Sequence, residues 1–193
     1  MYNESGDNMK NEIRKTMKKI RNNMTQEEVL NKSVLAAGFF LESDFYKNAK
    51  CIMLYKRLGN ETDTDIIIKQ ALSDNKKLVF PVTEEKNGKI TPYYADGNTE
   101  FNIGGFSVIE PKNSVEANPV DIEVILIPGI AFDAFGARVG FGKGCYDMFL
   151  PKTKAVKIGF CFDFQLADKI PASVHDINMD YVITDKGIIN CQK

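Results

Sequence analysis

The sequence predicts an α/β fold in which helices cover both faces of a central, mostly parallel sheet. The main observation is that short apolar runs, typical of buried strands, alternate with segments of helical periodicity. The apolar runs lie at residues 51–55, 78–81, 124–127, 156–161 and 181–184. The chain of 193 residues also has the length of one domain with a substantial core. We therefore expect a single domain over residues 1–193, with residues 1–8 as its candidate for disorder.

Two helices are predicted before the first strand. In residues 9–23 apolar side chains recur every three or four positions, at Met9, Ile13, Met17, Ile20 and Met24. Thr25 and Glu28 then have the spacing of a capping box, which begins a helix. The face that this second helix is expected to bury comprises Leu30, Val34, Ala37 and Leu41.

The remaining elements follow from apolar spacing and turn residues. Helices are predicted at residues 64–72 and 143–151, and Asp163 is expected to cap a short helix that stops before Pro171. Asn87-Gly88 indicates a hairpin over residues 84–94, whereas residues 95–119 are expected to be mostly loop. Tyr181–Thr184 is expected to be the last strand, and His175 a loop residue. The side chains expected in the core include Phe39, Phe40, Phe160 and Phe162.

Composition excludes several functional classes. The 25 Lys and Arg nearly balance the 26 Asp and Glu, so the chain lacks the overall positive charge that would indicate binding to nucleic acid. The single His and the spacing of the four Cys exclude the common zinc sites. No apolar run approaches a membrane span, and the polar first residues do not resemble a signal peptide. We therefore expect a cytoplasmic protein that binds no membrane.

A glycine-rich segment at residues 136–147 is the main functional signal. Its glycines are Gly136, Gly140, Gly142 and Gly144, and they lie between a predicted strand and a predicted helix. Backbone N–H groups in such a loop can approach an oxyanion, and Arg138 and Lys143 add positive charge. The spacing matches neither the Walker A pattern nor the dinucleotide pattern. A phosphate cradle and a mobile loop that needs glycines for its turns both remain open.

Asp147 follows this loop, in the first turn of the predicted helix. A carboxylate there stabilises the helix dipole. Beside bound phosphates it could instead hold Mg²⁺, which favours one or two carboxylates together with phosphate oxygens. The spacing alone does not choose between these roles.

The segment I-P-G-I-A-F-D-A-F-G-A-R-V-G-F-G-K-G-C-Y-D, residues 127–147, resembles the signature of the 5-formyltetrahydrofolate cyclo-ligase family, also called methenyltetrahydrofolate synthetases. That signature typically reads P-G-x-x-F-D-x-x-G-x-R-L-G-R-G-x-G-Y-Y-D. Weaker matches occur in order at K-N-E-I-R (10–14), N-E-T-D-T (60–64), F-P-V (80–82) and H-D-I-N-M-D-Y-V-I-T (175–184). The resemblance spans nearly the whole chain and implies a three-layer fold like that of sugar-phosphate isomerases and CoA-transferases.

The resemblance implies a reaction as well. The family cyclises 5-formyltetrahydrofolate to 5,10-methenyltetrahydrofolate, using ATP as co-substrate with Mg²⁺ and releasing ADP and phosphate. The formyl oxygen attacks the γ-phosphoryl group, N10 closes the ring on the resulting imidoyl phosphate, and phosphate leaves. Such transfer depends on positioning and charge neutralisation more than on covalent help from the protein.

The resemblance also implies roles for individual residues. Arg138 and Lys143 would act in catalysis. The ATP-binding residues would be Lys10, Arg14, Arg138, Val139, Gly140, Phe141, Gly142, Lys143, Gly144, Cys145 and Tyr146. The folate-binding residues would be Glu61, Phe141, Gly142, Lys143, Gly144 and Cys145, and the metal ligands Asp147 and Asp180. From the sequence alone, Lys10 and Arg14 also fit a solvated basic helix face, Glu61 a helix-terminal acid, and Asp180 a turn acid.

Two positions depart from the family pattern. Phe141 stands where the family has a second Arg, and Cys145 where it has the first Tyr of Y-Y-D. Cys145 also lies in a cationic loop near a helix start, which predicts a lowered thiol pKa and a redox-sensitive site. The departures leave three alternatives to a cyclo-ligase: a non-catalytic nucleotide-binding homologue, a sugar-phosphate isomerase and a folate storage or regulatory protein. The expected assembly is a monomer or weak dimer.

Overall fold

The computed structural model describes residues 4–191, and a seven-stranded sheet forms its centre. The helices, α1 to α5 in chain order, are Glu4–Asn22, Gln26–Glu42, Asp44–Asn48, Asp65–Ser73 and Cys145–Phe149. The strands, β1 to β12, are Cys51–Met53, Lys77–Thr83, Ile90–Ala95, Phe101–Ile103, Ile109–Pro111, Val124–Ile127, Ala131–Asp133, Arg138–Val139, Val156–Phe160, Leu166–Ala167, Tyr181–Thr184 and Gly187–Asn190.

The strand order of the central sheet is β12-β11-β9-β6-β1-β2-β3. Its five inner strands run parallel, and the edge strands β3 and β12 pair antiparallel to their neighbours. One face buries side chains of α2, α3 and α4, including Phe40 and Ile67, while the other buries Phe132 and Phe149. The predicted α/β fold with a central, mostly parallel sheet is therefore confirmed.

Helix α1 packs differently from the prediction. It begins at Glu4, so residues 4–8, expected to be disordered, are helical, and residues 1–3 lie outside the described residues. Met9 and Ile20 of the predicted apolar face are 50% and 43% exposed. Lys10 and Arg21 are buried instead. The helix therefore turns basic side chains toward the protein, which apolar periodicity could not reveal.

Helix α2 begins at the predicted capping box but buries a neighbouring stripe. The Thr25 hydroxyl accepts a hydrogen bond from the Glu28 N–H, and the Glu28 carboxylate accepts one from the Thr25 N–H. The buried residues are Val29, Ser33, Ala36, Ala37 and Phe40, whereas Leu30, Val34 and Phe39 are exposed. The stripe lies one position before the predicted one, and only Ala37 belongs to both. Ser33 is a polar member of the stripe, and its hydroxyl accepts a hydrogen bond from the Asp63 N–H at 2.8 Å.

Several other elements differ from the predicted ones. Residues 95–119 contain the antiparallel pair β4–β5, so this segment is more structured than expected. Strand β12 follows Tyr181–Thr184, which is therefore not the last strand. Helix α5 is five residues long and continues as a short 3-10 turn, and Asp163 begins a 3-10 turn rather than capping a helix. The predicted hairpin is β2–β3, with Gly88 at φ 70° in its turn.

Within residues 4–191, no helix has the length and apolar character needed to cross a membrane.

Candidate active site

A cavity of about 520 Å³ lies at the carboxyl ends of the inner strands. It is lined by Tyr55 just after β1, Pro81 and Thr83 at the end of β2, and Pro128 just after β6. Ligands of open α/β sheets bind at this edge because the loops that follow parallel strands meet there. One wall is cationic and the other is mainly apolar, so the cavity can receive a ligand pair of mixed character.

The glycine-rich loop forms the cationic wall after β7 and β8. Gly140, Gly142 and Gly144 line the cavity, and Gly142 and Gly144 have φ of 97° and 64°, which a glycine adopts without strain. Gly136 has another role, since a Cβ there would lie 2.4 Å from the Met179 carbonyl oxygen. It belongs to a tight turn and does not line the cavity.

The turn before the loop depends on Asp133, a residue that the sequence did not single out. Asp133 is buried, and its Oδ1 accepts hydrogen bonds from the N–H groups of Phe135 and Ala137. Its Oδ2 accepts one from the Ile170 N–H. A buried carboxylate with three backbone donors fixes the path of the chain, so Asp133 positions the loop without touching the cavity.

Arg138 lies beneath the loop with a side chain that is 7% exposed. Its Nη2 donates to Asp147 Oδ2 at 3.1 Å, and its Nη1 donates to the Pro128 carbonyl at 3.3 Å. Its Nε has no hydrogen-bond partner among residues 4–191. Because Arg138 lines the cavity and its terminal nitrogens retain N–H donors, it is suited to receive an anion there.

Helix α1 adds two more cations to the same wall. Arg14 Nε donates to the Gly140 carbonyl at 2.9 Å, which ties the helix to the loop. Lys10 is buried, and its Nζ lies 2.5 Å from Asp176 Oδ2. The structure thus brings Arg14 to the glycine-rich loop, and both Lys10 and Arg14 to the cavity that this loop lines.

Lys143 and Tyr146 occupy the end of the loop. The Lys143 Nζ lies 5.9 Å from the centre of the Phe106 ring, across the cavity. Burial raises the pKa of the Tyr146 hydroxyl above its ordinary value, so Tyr146 is a neutral donor at physiological pH. The Arg138 guanidinium lies over the Tyr146 ring, 5.3 Å from its centre.

Of the two predicted metal ligands, only Asp147 lines the cavity. Asp180 precedes β11 and accepts from the backbone N–H of Lys157 at 2.8 Å, with the Lys157 Nζ 2.9 Å away. The structure therefore does not bring Asp180 to Asp147. Asp176 lines the cavity instead, and the N–H of the next residue, Ile177, donates to Asp147 Oδ1 at 3.2 Å. Within residues 4–191, no cluster of three or more His, Cys, Asp or Glu forms a ready metal site.

Glu61 lines the cavity and is 5% exposed. Its Oε2 accepts a hydrogen bond from the Leu58 N–H at 2.9 Å, and its Oε1 lies 3.7 Å from Arg21 Nη1. Burial raises the pKa of Glu61, while Arg21 and the Leu58 N–H oppose that rise. The sequence missed Arg21 because it lies among other basic residues of α1.

The two departures from the family pattern occupy different environments. Phe141 is 45% exposed, and its ring lies under two cations, with Lys18 Nζ at 5.2 Å and the Arg21 guanidinium carbon at 5.7 Å from its centre. Cys145 is half-buried, and desolvation raises its pKa despite the nearby Arg138 and Lys143. The expectation of a lowered thiol pKa at Cys145 is therefore wrong, because burial outweighs the cations. His175 lies exposed in a turn, as predicted.

The apolar wall includes Leu58, Ile90, Phe106 and Val108. The segment 104–108, which we call the roof, contributes Phe106 opposite Lys143. Phe106 and Ser107 have φ of 54° and 63°, which non-glycine residues adopt only when neighbouring contacts hold them there. We expected residues 95–119 to be mostly loop, and no sequence pattern indicated the roof.

Comparisons with known proteins agree with this architecture. The model of the 5-formyltetrahydrofolate cyclo-ligase family matches residues 7–185. A probable 5-formyltetrahydrofolate cyclo-ligase of Caenorhabditis elegans is 29% identical, over 91% of this chain and 92% of the relative. The structure of Aquifex aeolicus 5,10-methenyltetrahydrofolate synthetase superposes with a TM-score of 0.85 at 30% identity, covering 96% of this chain and 94% of that one.

A second solved structure, a 5,10-methenyltetrahydrofolate synthetase from Mycoplasma pneumoniae, superposes with a TM-score of 0.73 at 25% identity. The match covers 91% of this chain and 98% of that one. The fold, the signature segment and the family match therefore agree along almost the whole sequence. The chain belongs to the 5-formyltetrahydrofolate cyclo-ligase family, and the enzyme class that its sequence predicts is confirmed.

Proposed function

We propose that the cavity binds ATP along its cationic wall and 5-formyltetrahydrofolate along its apolar wall, and that the enzyme cyclises the folate at the expense of ATP. The observation that carries this proposal is that a single cavity of about 520 Å³ has both a cationic wall and an apolar wall. A phosphate chain needs fixed donors and cations, whereas a pterin ring needs apolar surface and a carboxylate at its polar edge.

The phosphates would lie against the glycine-rich loop. The cations that face them are Lys10, Arg14, Arg138 and Lys143. Arg138 lines the cavity, and its two terminal nitrogens each use one N–H donor, on Pro128 and Asp147, so a remaining N–H can bind a phosphate oxygen without loss of the contact to Asp147. Lys143 is exposed and has no ion pair among the described residues, so it can follow the transferring γ-phosphoryl group. We assign the catalytic roles to Arg138 and Lys143 on this basis.

Magnesium would be held at Asp147. The donor set fits the ion, because Mg²⁺ uses one or two carboxylates and takes its other ligands from phosphates and water. Asp176 is the second carboxylate of this wall and replaces the predicted Asp180 in the proposal. The bound ion would neutralise charge on the phosphates. Asp147 and Asp176 would orient it, while Arg138 and Lys10 hold the two carboxylates in place.

The folate would place its pterin ring near Glu61 between Leu58, Ile90 and Val108. A carboxylate pairs well with two adjacent N–H donors, which explains why a charged group is retained at a buried position. The formyl oxygen would then face the γ-phosphoryl group held by Arg138 and Lys143. Attack on the γ-phosphorus forms the imidoyl phosphate and releases ADP. N10 then adds to the imidoyl carbon and loses its proton, and the ring closes as phosphate leaves. The protein's part is to align the two substrates and to balance charge.

The test is a direct assay with purified protein. Incubation with 5-formyltetrahydrofolate, ATP and Mg²⁺ should give the conjugated methenyl product, followed by its near-ultraviolet absorbance. Tight ATP binding without product would favour a non-catalytic homologue, in which Phe141 and Cys145 mark lost chemistry. Product formation without ATP would overturn the proposal, and turnover of a sugar phosphate instead would favour an isomerase. The cytoplasmic location and the monomer or weak dimer remain predictions.

A further inference from the structure

Arg21 is a buried cation whose own contacts do not explain its burial. It lies in the last turn of α1, and its residue is 6% exposed. Its Nη1 lies 3.4 Å from the Gly129 carbonyl oxygen and 3.7 Å from Glu61 Oε1, and its Nε has no partner among the described residues. Burying a guanidinium with long contacts and an unused donor is costly unless a nearby charge offsets it. The nearby charge is Glu61.

Glu61 has no other cation close to its carboxylate among the described residues. The charged and titratable groups that face it are Arg21 from α1, Tyr55 after β1 and Tyr146 from α5. Burial raises the pKa of both tyrosines, so neither is ionised near neutral pH. Burial also raises the pKa of Glu61, and Arg21 is the charge that lowers it. Arg21, together with the Leu58 N–H, therefore opposes the effect of burial and favours the carboxylate form of Glu61.

Phe141 completes this arrangement from the glycine-rich loop. Its ring lies 5.7 Å from the Arg21 guanidinium carbon, on the loop that borders the cavity. An aromatic face beside a guanidinium stabilises the cation and keeps water from it, which strengthens the interaction with a nearby carboxylate. The unusual residue of the loop and the buried Arg of α1 thus form one unit with Glu61.

We propose that Arg21 is a positioning residue for the folate, which acts by keeping Glu61 ionised, with Phe141 as its cover. A carboxylate accepts two hydrogen bonds from adjacent N–H donors, whereas a protonated carboxyl group presents a donor to one of them. Folate affinity therefore depends on the charge of Glu61. This inference rests on the proposed folate-binding role of Glu61 and adds Arg21 to it, with Phe141, already among the residues that the family resemblance assigns to folate, in a supporting role.

The test measures folate binding against pH without ATP. The dissociation constant of 5-formyltetrahydrofolate is determined by titration calorimetry for the wild type, Arg21→Met and Arg21→Lys between about pH 5.5 and 8.5. Removal of the cation raises the pKa of Glu61, so Arg21→Met should bind more weakly at the acid end, by up to about tenfold for each pKa unit gained. Its affinity should recover as pH rises and Glu61 ionises. Arg21→Lys keeps the charge and should follow the wild type.

Lys18→Met is the matched control, because Lys18 also lies over the Phe141 ring but makes no contact with Glu61. Its affinity should equal that of the wild type at every pH. Arg21→Gln, which is neutral but polar, carries the same expectation as Arg21→Met should the latter not fold. An equal loss of affinity at every pH in these neutral variants would overturn the proposal, because it would indicate a purely structural role.

Glu61→Gln separates this failure from failure of the proposed function. A weakened, pH-independent affinity in Glu61→Gln supports Glu61 as the folate carboxylate, whatever the Arg21 variants do. Wild-type affinity in Glu61→Gln would remove the folate role of Glu61 and, with it, the inference about Arg21. Loss in Glu61→Gln together with pH-independent loss in Arg21→Met would overturn the Arg21 proposal alone.

Discussion

Two loops face each other across the cavity, and they are built in opposite ways. The glycine-rich loop, residues 140–144, is largely exposed and places glycine at its positive φ angles, at Gly142 and Gly144. The roof, residues 104–108, places Phe106 and Ser107 at positive φ. A left-handed conformation costs a non-glycine residue about 1–2 kcal/mol, so the roof must be held by other contacts.

Two carboxylates stabilise the roof, and two glycines allow it to approach its neighbours closely. Glu85 accepts from the Phe106 N–H at 2.8 Å, and Glu110 accepts from the Thr83 N–H at 2.7 Å. A Cβ on Gly104 would lie 1.8 Å from the Glu110 carboxylate, and one on Gly105 would lie 2.2 Å from the Thr83 carbonyl. The roof is therefore a preformed surface, whereas the glycine-rich loop can adapt its backbone to a ligand. We expect changes in the loop backbone, at its glycines, to act mainly on ATP and changes in the roof to act mainly on folate.

The largest expected effect is on the loop side, at Arg138. Arg138→Ala should lower kcat/KM for ATP about 10²–10³-fold, because a buried donor that faces the transferring group is lost. Arg138→Lys keeps the charge without the planar fork and should fall between the wild type and Ala. Steady-state kinetics against ATP measure this, with a thermal melt to confirm folding. Unchanged ATP kinetics in Arg138→Ala would contradict its catalytic role.

A second prediction concerns the carboxylates beside the loop. Loss of an outer partner of a bound metal already costs about 10–100-fold in affinity, so Asp147→Asn should raise the Mg²⁺ concentration for half-maximal rate at least about tenfold. Asp176→Asn should act in the same direction. Asp180→Asn is the control and should leave the magnesium titration unchanged, since its carboxylate pairs with Lys157. A raised requirement in Asp180→Asn alone would restore the ligand assignment made from sequence.

The sequence could bring the residues of the loop side together because they are local in the chain or follow a known rule. Arg138, Lys143 and Asp147 lie in one continuous segment, and loops after parallel strands meet at one edge of the sheet. The strands were predicted because buried parallel strands are continuous apolar runs. Lys10 and Arg14 were placed by the family resemblance, since their spacing alone also fits a solvated helix face.

The remaining parts depend on contacts that no local pattern records. Asp176 meets Lys10 across 166 positions of the chain, and Asp180, four residues later, turns away from the cavity. Arg21 is one of several basic residues on α1, and only the packed structure shows that it is buried beside Glu61. The roof needs Glu85 and Glu110 from two different segments, so its conformation is set by tertiary contacts.

A pair of glycine substitutions tests the contrast between the loops directly. Gly104→Ala places a Cβ against Glu110 and should loosen the roof by about 1–2 kcal/mol, which raises KM for folate roughly 5–30-fold and leaves KM for ATP unchanged. Gly142→Ala meets open space apart from Arg14 at 4.0 Å, so its cost is backbone strain at φ 97° and should appear in KM for ATP. Equal effects of either variant on both substrates would break the contrast.

The smallest expected effect concerns Cys145, where the exposed loop passes into buried structure. The turn at Gly88 closes over this thiol, since a Cβ on Gly88 would lie 3.1 Å from Cys145 Sγ. Burial raises the thiol pKa, so the reactive thiolate is scarcer near pH 7 than in a free cysteine and forms only as pH rises past the ordinary thiol pKa. Iodoacetamide at pH 7 should therefore inactivate the wild type no faster than Cys145→Ser, and oxidant should leave both equally active. Rapid inactivation that Cys145→Ser abolishes would show that the cations of the loop outweigh burial, and the loop would then be an open, charged surface along its whole length.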